Sequence, residues 1–325
     1  MALRHGCPYM DPSQQQSTHP YCNDRSNILT QIWDVIPEIH ADIHRLEETL
    51  DATGDEAPIA FLGDLIDAGH ATKVSDDAAV LTRVRQLVRD GRAVAIMGNH
   101  ELNAILYHTP GPDGAPLRVH SAKNTGQHRS FLRQFGVSTP QAMIWVEWFL
   151  TLPLWRDLDG LRVVHACWSQ PHIDIIATRR PDGRLQPEDL WEVATESTDF
   201  GRAVKNIVGG PELDLPAPYL FRDRNGDERR RVRIAWWRAD APTWRDATLS
   251  VPNPLELPEG EVPTGREVAF YPEGSTPVLV GHYKMEGTPV IEAPQAACLD
   301  YPAAPCAYRW RGEEALSREQ VIRVA

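Results

Sequence analysis

The stretch Ala93-Val94-Ala95-Ile96-Met97-Gly98-Asn99-His100-Glu101 decides how the rest of this 325-residue chain is interpreted. Its first five residues form a short apolar run, which is typical of a buried parallel strand. An Asn-His pair follows at once, and open α/β sheets place their chemistry at this end of the strands. Asn offers an uncharged oxygen to a metal, and His binds a metal or donates a proton. Alone, the motif fits a turn with a core histidine equally well, so the neighbouring strands decide its meaning.

The pattern on both sides of this stretch predicts an α/β fold. Residues 32–36 and 58–62 are expected to be strands, and each precedes a pattern with helical spacing. Strand, helix, strand, helix and strand in this order indicate a parallel sheet with right-handed crossovers. Polar residues that follow these strands are therefore expected to converge at one edge of the sheet.

Two acid-x-His pairs after the first strand compete as metal ligands, Glu38 with His40 and Asp42 with His44. If the second pair were the ligands, Gly54 would end the following helix after about two turns. If the first pair are the ligands, Asp42 becomes a helix N-cap in front of an apolar face. The first arrangement is favoured, and Asp42 stays open as the alternative source of the first ligand.

Four strand ends beyond the first carry side chains of the same kind, namely Asp64 with Asp67, Asn99, His165 and His282. Carboxylate, imidazole and amide ligands together suit Mn, Fe or Zn better than an all-oxygen site for Ca or Mg. Asp64 lies in the middle of the set and is the natural bridge between two divalent ions. Two such ions activate water and clamp phosphoryl oxygens.

His100 has a different expected role from its neighbour Asn99. It is better placed to protonate a leaving oxygen than to bind metal. Asp67 is expected to accept the other ring N–H of His100 and so to fix its tautomer.

Composition excludes several function classes. The net charge of -12 and the pI near 5.5 argue against a surface that coats nucleic acid or binds an anionic membrane. No apolar run approaches the length of a bilayer span, and no secretory signal is recognisable, so a cytoplasmic location is expected. The five cysteines are unpatterned, and reduced core thiols are favoured over a Cys298–Cys306 bridge.

The domain organisation is predicted from changes in composition along the chain. Residues 1–28 are expected to be a mobile polar leader, and residues 29–325 one domain with a cap-like insertion at about 169–275. Within the insertion, an exposed strand is expected at the basic run 229–233, where a substrate-facing arginine stays open. Residues 296–300 and 307–310 are expected to pair as antiparallel strands that close the second half.

Five motifs, taken in order, resemble those of the calcineurin-like metallophosphoesterases, in the Ser/Thr protein phosphatase-like branch that also holds bacterial diadenosine tetraphosphate hydrolases. They are Glu38-x-His40, Gly63-Asp64-x-x-Asp67, Gly98-Asn99-His100-Glu101, His165 and Gly281-His282. The resemblance covers about residues 32–312. It implies a four-layer α/β/β/α sandwich and hydrolysis of phosphate esters by a hydroxide that two metals activate.

The resemblance also implies a role for each matching position. Glu38 and His40 would hold the first metal, and Asp64 would bridge. The second metal would be held by Asn99, His165 and His282, and His100 with Asp67 would form the acid dyad.

The chain departs from the family pattern at two positions. The family's first ligand is Asp, whereas this chain has the longer Glu38. The phosphatase branch has a phosphate-clamping Arg where this chain has Ala68, and the candidates to replace it are Lys123, His128 or an arginine of the cap.

The predicted function is hydrolysis of a phosphate monoester in a phosphorylated small molecule, a nucleotide or a phosphoprotein. The alternative enzymatic function is that of a dinucleoside polyphosphate hydrolase. A third hypothesis, from another functional class, is a degenerate, metal-poor relative that serves as a binding or scaffold protein. It is suggested by the departures from the family pattern at Glu38 and Ala68.

Overall fold

The computed structural model describes residues 32–223, 226–240, 243–263 and 269–324. The leader predicted for residues 1–28 lies outside these ranges. The helices are α1 (Ile43–Thr53), α2 (Asp77–Arg89), α3 (Asn99–His108), α4 (Ala122–Gln127), α5 (Arg129–Phe135), α6 (Pro140–Leu150), α7 (Gln170–Arg179), α8 (Leu190–Thr195), α9 (Asp199–Gly209) and α10 (Trp244–Ala247). The strands are β1 (Trp33–Ile36), β2 (Ile59–Phe61), β3 (Ala93–Ala95), β4 (Trp155–Asp157), β5 (Arg162–Val164), β6 (Glu212–Asp214), β7 (Phe221–Arg222), β8 (Glu228–Arg229), β9 (Arg231–Ile234), β10 (Thr248–Leu249), β11 (Val278–Val280), β12 (Ala296–Cys298), β13 (Cys306–Trp310) and β14 (Val321–Arg323).

Two sheets form the centre of the domain. The first has the order β14-β13-β1-β2-β3, and its β1, β2 and β3 are parallel, as the alternation of strands and helices predicts. The second has the order β12-β11-β5-β4, in which β5, β11 and β12 are parallel. The candidate ligands therefore leave the carboxyl ends of parallel strands in both sheets.

The predicted antiparallel pairing of residues 296–300 with 307–310 is wrong. Strand β12 runs parallel to β11 in the second sheet, whereas β13 crosses to the first sheet and pairs antiparallel with β1. Both segments are strands, but period-two spacing shows which face of a strand is buried and leaves its partner undetermined.

An apolar layer fills the space between the two sheets. Val35 and Leu62 contribute from the first sheet, and Val163 and Leu279 contribute from the second. Residues next to them in sequence, such as Val164, belong to a different apolar cluster that also contains side chains from the helices. Because successive residues of a strand point to opposite faces, each sheet is covered on both sides. The fold is thus the expected four-layer α/β/β/α sandwich.

Local signals place the helices that flank the site. Asp42 caps α1, since its side chain accepts a hydrogen bond from the backbone N–H of Arg45 at 3.2 Å. Helix α3 begins at Asn99, so the candidate ligand and His100 form its first turn. Helices α4 and α5 are separate helices that meet at His128.

The region predicted as a cap contains two different parts. Helices α7, α8 and α9 share the main apolar cluster, to which Ile176, Val193 and Ile207 contribute. Strands β6, β9 and β10 form a small sheet over their own apolar cluster, which includes Val232 and Trp244. Only this second part has a core of its own.

Two further predictions can be compared with the described residues. Cys167, Cys298 and Cys306 are buried free thiols, as expected, and Cys298 and Cys306 are not bridged. Among the helices of the described residues, none has the length and apolarity that crossing a bilayer requires.

Candidate metal and catalytic site

Close approach of two loops brings the strand ends together. A Cβ at Gly98 would overlap the carboxylate and the backbone nitrogen of Asp64, and one at Gly63 would overlap the backbone of Gly98. Four candidate site residues adopt positive φ, namely His40 at 49°, Asp64 at 51°, Asp67 at 66° and His282 at 76°. Such conformations are uncommon for residues with a side chain and cluster at functional sites.

The buried carboxylate of Glu101 joins these two loops. Its Oε2 accepts the backbone N–H groups of Asp64 at 2.8 Å and Gly98 at 2.9 Å, and its Oε1 accepts that of Leu65 at 2.8 Å. Glu101 is not among the site residues predicted from the sequence. Its position at the third residue of a helix, where a capping-box acid stands, was the available signal.

One group of candidate ligands surrounds Asn99. Its Oδ1 lies 3.0 Å from Nε2 of His165 and 2.6 Å from Nδ1 of His282, while Oδ1 of Asp64 lies 3.5 Å from Nε2 of His165. The other ring nitrogen of His165, Nδ1, donates to the carbonyl of Leu62 at 2.7 Å. In the neutral ring, Nε2 therefore carries a lone pair that points at two oxygen acceptors, which is the arrangement of a metal-binding histidine.

A second group surrounds His40 and shows the same arrangement. Nδ1 of His40 lies 3.1 Å from the carbonyl of Asp67, and Nε2 lies 3.1 Å from Oε2 of Glu38. The other carboxylate oxygen of Glu38 accepts the backbone N–H of His282. Glu38 is buried and reaches both groups of the site despite its extra methylene.

The competing pair of candidate ligands lies elsewhere. The two carboxylate oxygens of Asp42 accept the backbone N–H groups of Arg45 and Lys73, and His44 is exposed on α1. This geometry favours Glu38 and His40 as the members of the site.

The buried carboxylates of the site shift the pKa values of the groups around them, and this charge distribution fits divalent cations. Burial lowers the pKa of His165, but the charges of Asp64 and Glu38 and the hydrogen bonds of the ring together outweigh burial, and the pKa rises to about 10. Burial also raises the pKa of Asp300, and repulsion from Glu38 adds to it, giving about 8. Several buried carboxylates thus compete for positive charge, and the nitrogen and oxygen donors around them are those that Mn, Fe or Zn prefer.

His100 and Asp67 are in hydrogen-bond contact next to these groups. Nδ1 of His100 lies 2.8 Å from Oδ2 of Asp67, and Nε2 of His100 lies 3.8 Å from Oδ2 of Asp64. Burial alone would lower the pKa of His100. The charges of Asp64 and Asp67 raise it by more than burial lowers it, so the pKa is about 9.

A chain of hydrogen bonds continues behind Asp67. Oδ1 of Asp67 lies 2.7 Å from Nδ1 of His128, whose Nε2 lies 3.1 Å from Nε2 of His108. Nδ1 of His108 accepts the backbone N–H of Ser138 at 2.9 Å. A backbone N–H only donates, so His108 donates to His128, and His128 donates to Asp67. Sequence reasoning missed His108, because no local pattern connects residues 67, 108, 128 and 138.

The substrate-contact candidates are placed differently from one another. His128 is 4% exposed and both its ring nitrogens have partners, so it offers no free donor to a phosphate. Lys123 is exposed on α4 and lines a cleft that reaches Asn99. At position 68, the backbone N–H donates to Ser130, and alanine supplies no clamp.

Comparison with solved structures finds phosphatases at low sequence identity. A candidate diadenosine tetraphosphatase shares 16% identity over 91% of this chain and 94% of its own, with a TM-score of 0.42. A cold-active protein tyrosine phosphatase from a psychrophilic Shewanella species shares 12% identity over 91% and 80% of the two chains, with a TM-score of 0.43. A serine/threonine phosphatase from Saccharomyces cerevisiae shares 14% identity over 44% and 40%, with a TM-score of 0.31.

Comparison at the sequence level gives two results. No functionally curated protein matches the chain significantly. The family model described as calcineurin-like phosphoesterase matches residues 34–212, more than half of the 325 residues. The matched segment contains all the candidate site residues described above except His282. The chain belongs to the calcineurin-like phosphoesterase family, and it is a hydrolase of phosphate esters.

Proposed function

We propose that this protein hydrolyses a phosphate monoester with the help of two divalent metal ions. One observation carries the proposal: two groups of potential ligand atoms share Asp64. His40, Asp64 and His100 form one group, and Asp64, His165 and His282 form the other, with the ligand atoms of each group within 4.8 Å of one another. A shared carboxylate between two groups is what a two-metal site requires.

Glu38 and His40 would hold the first ion, and Asn99, His165 and His282 the second, with Asp64 between them. His100 belongs to the first group by distance, but its contact with Asp67 supports a role in proton transfer instead. When bound, Mn, Fe or Zn supplies Lewis-acid polarisation of the phosphoryl oxygens and lowers the pKa of a coordinated water.

The protein's own side chains then complete the reaction. His100 donates the proton that the leaving oxygen needs, since its Nε2 faces the Asp64 side of the site. Asp67 holds the His100 ring through Nδ1, and His128 holds the second oxygen of Asp67, which restricts rotation of the carboxylate.

The substrate class follows from the family only coarsely. A phosphorylated small molecule, a nucleotide or a phosphoprotein all supply a phosphate ester, and we propose a cytoplasmic location because three buried cysteines are reduced. A dinucleoside polyphosphate hydrolase remains the second candidate, and it is favoured by a cleft beside Asn99 whose charged lining residues are Arg118, Lys123, Lys205 and Arg233. A degenerate scaffold is less well supported, because Glu38 keeps contact with both groups of the site.

Metal content and turnover of the same preparation test this function. Protein purified without chelator is expected to contain about two divalent ions by mass spectrometry and to hydrolyse an aryl phosphate with added Mn. Asp64→Asn should lose metal and activity together, whereas Asp51→Asn, the same change at an exposed position of α1, should lose neither. Wild-type protein without metal and without turnover would contradict the proposal.

A further inference from the structure

Two buried histidines, His108 and His128, form a row behind the proposed proton donor and belong to neither group of candidate ligands. They are 3% and 4% exposed, and their Nε2 atoms lie 3.1 Å apart. The ring of His128 stacks on Phe131 with centroids 4.7 Å apart, and the ring of His108 lies 5.7 Å from the same phenyl group. A phenylalanine would make such contacts without any polar atom to satisfy, so the imidazole nitrogens are the feature of these two positions that needs an explanation.

The backbone of the connection between α5 and α6 fixes the direction of the hydrogen bonds in this row. The N–H of Ser138 can only donate, so Nδ1 of His108 is an acceptor and the ring proton of His108 lies on Nε2. Nε2 of His128 must then accept, and its proton lies on Nδ1, 2.7 Å from Oδ1 of Asp67. Burial, together with the nearness of His128 and His120, lowers the pKa of His108 to about 4. The ring is therefore neutral near neutral pH, as this arrangement requires.

The direction of the row decides what Asp67 can do for His100. Oδ1 of Asp67 accepts from His128, and Oδ2 lies 2.8 Å from Nδ1 of His100, so each carboxylate oxygen has one imidazole donor. In the other tautomer of His128, the lone pair of Nδ1 would face Oδ1, and two acceptors repel each other. The carboxylate would then rotate, and the His100 ring would lose the acceptor that orients it. His108 excludes this tautomer, because its Nε2–H would then meet a second N–H.

We propose that His108 is a positioning residue for proton donation by His100, because it fixes the tautomer of His128 and thereby the carboxylate of Asp67. This inference rests on the proposed phosphoesterase function and adds a residue that lies three hydrogen bonds away from His100. As the bond from phosphorus to the leaving oxygen breaks, that oxygen keeps the electron pair and takes the proton from Nε2 of His100. The Nδ1 proton of His100 stays in its hydrogen bond with Asp67, and no proton passes through His128 or His108.

Two amide substitutions at position 108 separate the effect on the tautomer from the effect on packing. The amide oxygen of Asn takes approximately the place of Nδ1, so His108→Asn keeps the acceptor for Ser138 and loses the donor to His128. The longer Gln brings its NH₂ group to approximately the place of Nε2, so His108→Gln keeps the donor to His128 and loses the acceptor for Ser138. Each variant therefore loses one buried hydrogen bond of His108, but only His108→Asn should release the tautomer of His128.

Hydrolysis of two aryl esters by the full-length protein with added Mn measures the effect on proton donation. Phenolate is a more basic leaving group than para-nitrophenolate, so hydrolysis of phenyl phosphate depends more on a proton from His100. His108→Asn should lower kcat about tenfold for phenyl phosphate and less than about twofold for para-nitrophenyl phosphate, with KM and metal content unchanged. His108→Gln should stay within about threefold of wild type on both esters. His120→Phe is the matched control and should behave as wild type, since His120 stacks on Tyr107 and contacts its carbonyl without joining the row.

Long-range proton–nitrogen NMR of the imidazole rings identifies the tautomers without turnover. The ring proton of His128 should lie on Nδ1 in wild type and in His108→Gln, whereas His108→Asn should show a mixture of both tautomers. A wild-type His128 with its proton on Nε2 would overturn the inference, even if neither variant folds. Equal loss of kcat on both esters in His108→Asn, or the same loss in His108→Gln, would overturn the positioning role and leave the phosphoesterase function standing. The expected tautomers without turnover of either ester by wild type would support the fixed tautomer and overturn the proposed function.

Discussion

Replacement of Glu101 by Gln tests how the two central loops are held together. The carboxylate of Glu101 is fully buried and accepts three backbone N–H groups, those of Asp64, Leu65 and Gly98. A Gln side chain has one acceptor oxygen, and its NH₂ group would face at least one of these N–H donors. The substitution thus conserves the size of the side chain while weakening the hydrogen bonds that join the Asp64 loop to the Gly98 loop.

The magnitude follows from the bonds that change. One buried N–H loses its acceptor, at a cost of about 1–3 kcal/mol, and the remaining bonds lose their charge assistance, at about 1 kcal/mol each. Loss of the negative charge relieves repulsion between Glu101 and Asp64, which offsets part of this cost. We expect the free energy of unfolding to fall by about 3 kcal/mol, a large part of the 5–15 kcal/mol that is usual.

Thermal unfolding of Glu101→Gln beside wild type measures the effect. At about 2–4 °C for each kcal/mol, the melting temperature should fall by about 6–12 °C. Glu147→Gln is the matched control, since Glu147 is exposed on α6, and its melting temperature should stay within about 1 °C of wild type. A melting temperature of Glu101→Gln equal to that of the control would refute the reasoning.

Three further predictions concern other buried contacts of the site. Burial raises the pKa of Asp77 to about 6, so its protonated form stabilises the fold below pH 4 and that contribution is lost as the pH rises through 6. Asp77→Asn should therefore stabilise the protein by about 2 kcal/mol at pH 7.5 and hardly at pH 4, and urea denaturation at both pH values checks the difference. His128→Phe removes one of the two imidazole donors to Asp67 and should lower kcat for an aryl phosphate about tenfold with KM unchanged; an equal fall in metal content would point to a structural role instead. Gly98→Ala places a methyl group against Asp64 and should reduce bound metal, measured by mass spectrometry, even in protein that remains folded.

The sequence by itself determined the features that depend on local patterns. Buried strands that end in polar residues were recognisable from period-two and apolar spacing, and the N-cap at Asp42 from the helix that follows it. Glu38 could be preferred over Asp42 for the same reason, since one carboxylate cannot both cap a helix through two backbone N–H groups and serve as a ligand. The contact between His100 and Asp67 was also predicted from the sequence, and the two side chains lie 2.8 Å apart.

Only the tertiary structure decided which distant segments meet. Strand β13 joins the first sheet instead of pairing with β12, because pairing depends on where the chain crosses between sheets. Arg118 and Lys205 belong to a loop and a helix that lie far apart in sequence, and neither has a motif around it. They nevertheless line one cleft together with Asn99, which begins α3 just beyond β3. Local spacing encodes secondary structure and caps, whereas a charged cleft is created by packing between segments that carry no sequence signal of their proximity.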